Sequence, residues 1–413
     1  MTARRQIVTG AALLIAAWLA APAVRAESVF AREGLGEWLE GYDVRGETLG
    51  STGLGVIDPN NFCTINPATT AFSQNTLAHF GLGSGVRWTT DDVNTTHRAA
   101  TYLTGTGLYL ALPSHLGVRL AMTPASDPTY RLETTVVTGW EGREEDVRRE
   151  EGSRGLLRYE AGLSWRGGAN WALGGGIGLT AGTLRDKTLY AFGDSAEDHG
   201  YADGSDLRRL LVKPAVSFSA GALLRALPRL SLGGFLTTAA SGDIEETYQG
   251  FGATETTVDT ARVDLPFGLG GGAAVQLTND LRLSADLVWR RWEEAGFAGV
   301  SDARLAPRFR NTLRWGVGLE RVPVVEKTTP LLRSISWRAG FAMIPWYLRD
   351  RDGDGIDEWR LSAGAGIPIR QNRGSIDLML AYGRRGSLAA NGLEETYFRF
   401  GLAGTFARVL REY

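Results

Sequence analysis

Residues 263–292 read VDLPFGLGGGAAVQLTNDLRLSADLVWRRW, and their spacing decides the fold class. Val263, Leu265, Phe267, Leu269, Ala273, Val275 and Leu277 fall on one face of an extended chain; Arg262, Asp264, Gly268, Gly270 and Gln276 fall on the other. Asn279-Asp280 supplies a tight turn. Leu281, Leu283, Ala285, Leu287 and Trp289 then resume the apolar face, opposed by Arg282, Ser284, Asp286 and Arg290. A period of two means strands whose two faces meet unlike surroundings. These strands are longer than the five or six residues usual in soluble sheets.

The pattern recurs from residue 77 to the end, in about fourteen segments. Gly167-Gly168-Ala169-Asn170, Leu227-Pro228, Asn279-Asp280 and Gln371-Asn372-Arg373 make short turns, and the loops between them are long and polar. Long alternating segments in even number, with short turns on one side and long loops on the other, predict an all-β fold: a transmembrane antiparallel β-barrel. Closure is obligatory, because an open edge would leave backbone groups unpaired in lipid. Trp88, Trp289, Trp292, Trp346 and Trp359 fall at the outer ends of their segments, and Trp165, Trp171 and Trp337 at the inner ends, as two aromatic girdles. Phe398, Phe400, Leu402 and Phe406 give an amphipathic last strand, and Tyr413 an aromatic terminus. A soluble sandwich would need a second sheet over every apolar face, whereas lipid needs none.

Residues 1–26 read as a removable secretory signal: Arg4 and Arg5 precede an apolar core, and Val24-Arg25-Ala26 closes it with a small residue. That core is shorter than the ~20 residues of a spanning helix. Export to the outer membrane of a Gram-negative-type bacterium is the expected location. The balance of 44 Lys and Arg against 46 Asp and Glu leaves no basic footprint for nucleic acid. The 54 glycines carry no three-residue period, which excludes collagen; inside strands they suit curvature and close packing. Cys63, the single cysteine, cannot form an internal disulfide and reads as filling a small half-buried space.

Residues 27–76 do not alternate, and the barrel is expected over 77–413. Val29, Phe30, Leu35, Trp38, Leu39 and Tyr42 have roughly helical spacing, which predicts a short amphipathic helix weakened by Gly34, Gly36 and Gly41. Asp58-Pro59-Asn60-Asn61 and Asn66-Pro67-Ala68 are turn formers. Too small to hold a core alone, this piece must dock on the rest.

The signal, this glycine-rich segment ending in Asn66-Pro67-Ala68, the strand number and the hairpin from Leu265-Pro266 to Trp292 together resemble the FadL-type outer-membrane transporters of long-chain fatty acids and aromatic hydrocarbons. The resemblance implies that residues 27–76 fold into the barrel as a hatch, with Asn66-Pro67-Ala68 as its signature. It also implies a kink in the third strand that opens a lateral hole; Met122-Thr123-Pro124 lies in that segment, and Pro124 is the candidate kink or, alternatively, a loop-entry proline. A small hydrophobic ligand and outer-membrane lipid are the implied partners, to a monomeric barrel. Phe30, Trp38, Leu39 and Phe62 are the candidate pocket residues. The region from Asp58-Pro59 to Ala68 also resembles PorV-like barrels, which act as partners in protein secretion and surface attachment.

Asp350, Asp352, Asp354 and Gly355 spell the start of a calcium loop, although Leu361 stands where an EF-hand needs glutamate; Asp357 or Glu358 is the candidate substitute, Glu358 being the one carried forward. A polar hairpin loop explains the same residues without metal, and no other cofactor is expected. A set of charges that includes Arg158, Glu160, Arg166, Lys213, Arg262, Asp264, Arg282, Asp286, Arg290, Arg314, Glu320, Arg338, Arg360, Asp377 and Arg399 is expected to point into the lumen and hold the hatch. His79, His97, His115 and His199 lie in no nucleophile motif and at no metal-ligand spacing, so no enzymatic activity is expected.

Overall fold

In the computed structural model, described over residues 28–136, 146–191, 203–250, 256–298, 308–323, 329–369 and 373–408, fourteen antiparallel strands close into a barrel. Residues 1–26, expected to be a signal, and Tyr413 lie outside the described residues. In chain order the strands are β1 (Thr76–Thr90), β2 (Thr95–Ala111), β3 (Leu116–Pro124, resuming at Tyr130–Val136), β4 (Asp146–Arg166) and β5 (Trp171–Ala191). Next come β6 (Asp203–Lys213 and Ala215–Leu227), β7 (Leu230–Thr237 and Ala240–Gly250), β8 (Thr256–Leu265 and Gly268–Gln276) and β9 (Leu281–Arg290, resuming at Gly296–Ala298). The ring is completed by β10 (Thr312–Arg321), β11 (Ser336–Arg349), β12 (Gly355–Pro368), β13 (Gly374–Ser387) and β14 (Leu393–Arg408). Closure is the ladder between β1 and β14, in continuous register from Thr76 opposite Arg408 to Thr90 opposite Glu394.

Leu163, Ile177, Leu269, Leu287, Leu313, Leu361, Phe398, Phe400 and Phe406 are exposed around the outside. A continuous apolar exterior of this kind is the lipid face of a spanning barrel. Trp165 and Trp171 pack edge to face at the short-turn end. At the long-loop end, Trp88, Phe398, Tyr382 and Trp359 form a lipid-side chain of aromatic contacts.

The structure corrects two parts of the tryptophan and charge reading. Trp292 and Trp346 are buried inside the barrel, where Tyr347 stacks between them at 4.3 and 5.9 Å. Breaks in the strands turn them inward: β9 leaves its ladder after Arg290, and β11 shifts register between Pro345, which has no N–H to donate, and Arg349. The alternation across 263–277 likewise breaks at Pro266-Phe267, so Val263 and Leu265 face inward while Leu269 faces lipid. Arg262 and Asp264 therefore point outward and pair with each other, and Lys213 is exposed beside Asp243. Arg166, expected in the lumen, lies at the short-turn rim with His115.

Residues 28–75 pack against inward-facing residues of the ring strands. The expected amphipathic helix is absent. That stretch is a 3-10 turn (Val29–Arg32), a two-residue strand (Glu37–Trp38) and one short helix α1 (Val44–Thr48), because Gly34, Gly36 and Gly41 all sit at φ between +68 and +86°. The segment touches most of the ring. A Cβ on Gly233 would meet the Leu54 carbonyl, one on Gly316 the Gly50 carbonyl, one on Gly340 the Gly50 nitrogen and one on Gly174 the Pro67 carbonyl. Glycine at these inward positions lets the two backbones approach as no other residue would.

A candidate functional site behind a gap in the wall

The gap begins where β3 leaves β2. The last pair of that ladder is Thr106 opposite Met122; above it, residues 95–105 of β2 pair on one side only, with β1. Pro124 ends the lower half of β3, and residues 125–129 fold inward before the strand resumes against β4 at Tyr130. The inner segment provides the ladder that β2 no longer does. Glu37 and Trp38 pair antiparallel with Asp127 and Ser126, Leu39 N–H donates to Ala125 O at 2.9 Å, and Ser28 N–H donates to Thr129 O at 2.9 Å. The bend thus keeps its hydrogen bonds while the wall loses one ladder.

Behind the gap lies a cavity of about 60 Å³ between the inner segment and the wall. Leu103, Pro124, Ile344 and Leu39 line its apolar side; Trp38, Tyr42, Tyr102 and Arg314 face it with polar groups. Above it is an apolar interior cluster that includes Leu35, Val263, Leu265, Trp292, Trp346 and Tyr347, against which Phe30 and Trp38 pack.

Two buried charge networks tie the inner segment down. In the first, Glu37 meets Arg385 at 2.7 Å, Arg399 at 3.0 Å and Arg87 at 3.4 Å. Glu395 beside it accepts from Val29 N–H at 2.7 Å and from the Ser28 hydroxyl, and Glu358 accepts from Arg385 and the Tyr397 hydroxyl. In the second, Arg45 bridges Asp58 at 2.6 Å and Glu320 at 3.0 Å, while Glu320 also receives Arg338 at 2.7 Å and Arg282. Separate ties add to these. Glu40 is paired bidentately with Arg290, Asp286 accepts from Gly53 and Leu54 N–H at 2.7 and 2.9 Å, and Arg119 donates to the Cys63 carbonyl at 3.2 Å.

Asn66 is one of these ties. Its Nδ2 donates to Leu54 O at 3.0 Å and Ala222 O at 3.1 Å, and its Oδ1 accepts from Ala68 N–H. One side chain so joins two turns of the inner segment to β6, and Pro67 fits over Gly174 and Gly221.

The structure brings some of the sequence candidates together and separates others. Trp38 and Leu39 line the cavity, and Phe30 packs in the cluster above it. Phe62 is buried elsewhere, stacked on His79 and set against Gly107 of β2. Glu358 points into the barrel onto Arg385, away from the loop of Asp350, Asp352 and Asp354. Asp350 in that loop accepts the N–H groups of Asp352 and Asp354 and the Asn391 amide. Among the described residues no group of three His, Cys, Asp or Glu side chains converges as a metal site. Tyr102, Leu103 and Arg314 were not singled out as site residues from the sequence, and no motif marks them there.

A family model described as BamG matches residues 3–407. The chain belongs to the BamG family. The sequence reading did not name BamG; its coarser part, a FadL-like outer-membrane barrel, agrees with the family model and the solved structures, and the FadL likeness is one of fold. No curated protein matches this BamG-family chain. Among solved structures it is similar to a Pseudomonas aeruginosa FadL homologue, with TM-score 0.61 and 16% identity over 88% of this chain and 98% of that one. It is also similar to the Pseudomonas putida toluene transporter TodX, with TM-score 0.56 and 14% identity over 90% of this chain and 99% of that one. The CymD monoaromatic hydrocarbon channel gives TM-score 0.56 and 13% identity over 91% and 99%. At these identities the likeness is that of an outer-membrane β-barrel fold.

Proposed function

We propose that this BamG-family barrel is a passive outer-membrane channel for small hydrophobic molecules, in the manner its FadL-like fold suggests. The observation that carries the reading is the gap between β2 and β3 with a cavity directly behind it. An apolar solute that reaches this cavity leaves sideways into lipid, and burial of its apolar surface drives the step without an energy source. The cavity of about 60 Å³ holds a few water molecules. Ligand pockets run to roughly 300–1,000 Å³, so passage requires the inner segment to shift.

Uptake of labelled fatty acids and aromatic hydrocarbons by cells carrying the intact chain tests the reading, beside a variant in which residues 125–129 are deleted to straighten β3. Uptake that the deletion abolishes supports it. No uptake of any apolar compound by a folded, surface-exposed barrel overturns it.

The closed lumen favours a second reading, a PorV-like partner in protein secretion or surface attachment. A filled, tightly tied barrel suits a scaffold as well as a channel. Stoichiometric co-purification with a large exported protein, together with failed uptake, would favour it.

A further inference from the structure

We propose that the edge of β2 beside the gap, over residues 99–104, is a docking strand for an extended segment of a second membrane polypeptide, which adds to it antiparallel in the place that β3 vacates. This goes beyond the channel reading and does not depend on it; it gives the partner reading a point of contact.

Residues 99–104 read AATYLT, without proline or charge. They pair with β1, from Ala99 opposite Val86 to Leu103 opposite Leu82, and among the described residues no ladder or backbone–backbone hydrogen bond meets their other side. Ser84 donates its hydroxyl to Ala100 O at 3.2 Å, also from β1. Every second residue of a strand turns its N–H and C=O away from the paired side, so this edge presents a row of donors and acceptors to the gap. Its depth makes that costly. Trp88, in the aromatic chain at the long-loop end, pairs with His97, and residues 99–104 lie on the membrane side of it, level with the exposed Leu82. Lipid chains offer a backbone no hydrogen bond.

The inner segment does not cover this edge, because its strand and the bonds beside it are spent on residues 125–129. Exposed edges are ordinarily blunted by lysine, proline or a bulge. Here the register shift lies at the lower end, where Gly81 and Leu82 face Gly105 and Leu103, and nothing interrupts the stretch above it. The lower half of β3 runs antiparallel to β2 against residues 106–111, so a strand that continues its course meets residues 99–104 in the same sense. Side-chain chemistry follows from the two faces. Ala99 and Thr101 are exposed, whereas Tyr102 and Thr104 line the cavity, and their hydroxyls make no hydrogen bond among the described residues. An added strand therefore needs apolar residues towards lipid and small hydrogen-bonding ones towards the cavity. That alternation belongs to a membrane-spanning strand.

The test uses the full wild-type chain in a neutral detergent and a dye-labelled synthetic peptide of about ten residues, the length of a spanning strand, that alternates leucine with threonine. Binding is read by fluorescence anisotropy for this peptide and for two forms N-methylated at alternate residues, one on the leucines and one on the threonines. Pairing along a single edge uses the N–H groups of one set only, so one form is expected to bind about tenfold weaker and the other as the parent does. Equal loss in both forms, or loss in neither, means apolar adsorption and overturns the proposal. Position is read by disulfide trapping of a cysteine-bearing peptide, with folding of each variant checked by heat-modifiable mobility. Thr101→Cys is expected to trap the peptide and Leu287→Cys, on the lipid face of β9, to leave it free; equal trapping at both sites overturns the edge. A Thr101→Cys homodimer that excludes the peptide assigns the edge to a second copy of the chain and overturns the foreign strand. No binding to the folded barrel overturns the edge inference and leaves the channel reading to the uptake experiment.

Discussion

At the scale of residues, the inner segment is held by side chains whose loss leaves a buried partner exposed to nothing. Asn66→Ala strips donors from the Leu54 and Ala222 carbonyls and an acceptor from Ala68 N–H, and is expected to destabilise by ~1–3 kcal/mol in urea unfolding from lipid vesicles. Glu37 is a sharper case. Burial alone would raise its carboxyl, but Arg385, Arg399 and Arg87 outweigh burial and hold it well below the usual carboxylate range. A folded-state value below the unfolded one (~4.3) means that its stabilisation is complete above the unfolded value and is lost as pH falls through the folded one. Glu37→Gln is therefore expected to cost about 3–5 kcal/mol at neutral pH, with a difference from wild type that shrinks only in strong acid. Unfolding midpoints across pH 2–7 check both the size and the sign. Cys63 supplies a reporter, because burial pushes its thiol up to about 12 and keeps it from reagents. Maleimide should leave Cys63 unmodified in the wild type at pH 7.5 and label it in Gly316→Val, whose side chain would occupy the place of the Gly50 carbonyl. Unchanged protection in a folded Gly316→Val barrel would show that the close approach is dispensable.

At the scale of elements, proline positions decide where strands change face. Pro124 ends the lower half of β3, Pro214 divides β6, and Pro266 divides β8; at each the ladder lacks a donor. The consequence differs with what lies nearby. At Pro266 the chain resumes after two residues with its faces exchanged, whereas beyond Pro124 the chain finds Leu39, Trp38 and Glu37 to pair with and turns into the lumen. Replacing Glu37 and Trp38 together by proline would remove that pairing. Protection of the Ser126 and Asp127 amides from hydrogen exchange should then fall while the ladder between β3 and β4 keeps its own; equal protection would mean that the bend is held by β3 alone.

At the scale of the molecule, the barrel and its content are separable in principle, since the ladder from β1 to β14 closes without the inner segment. A chain lacking residues 28–75 is expected to insert and to conduct ions in planar bilayers, and the intact chain to conduct far less. Equal conductance would mean that the lumen is not sealed by that segment.

Much of this was legible from spacing. Strand alternation, the even count, the turn asymmetry and the class of fold follow from local rules, because a lipid-facing strand must show an apolar residue at every second position whatever its neighbours do. Asn66, Pro67 and Ala68 stood out for the same reason, as turn chemistry readable within three residues. What the sequence could not show is where the period changes phase. The inward placement of Val263, Leu265, Trp292 and Trp346, the outward placement of Arg262 and Asp264, and the seat of Arg314 over the Tyr42 ring all depend on strand breaks and on partners far away in the chain. Periodicity alone determined that this chain makes a barrel. Which arginines hold the inner segment, and which one is left facing a cavity beside a gap, was decided only when the ring closed around residues 28–75, because ion pairing and burial belong to contacts that exist in no single strand.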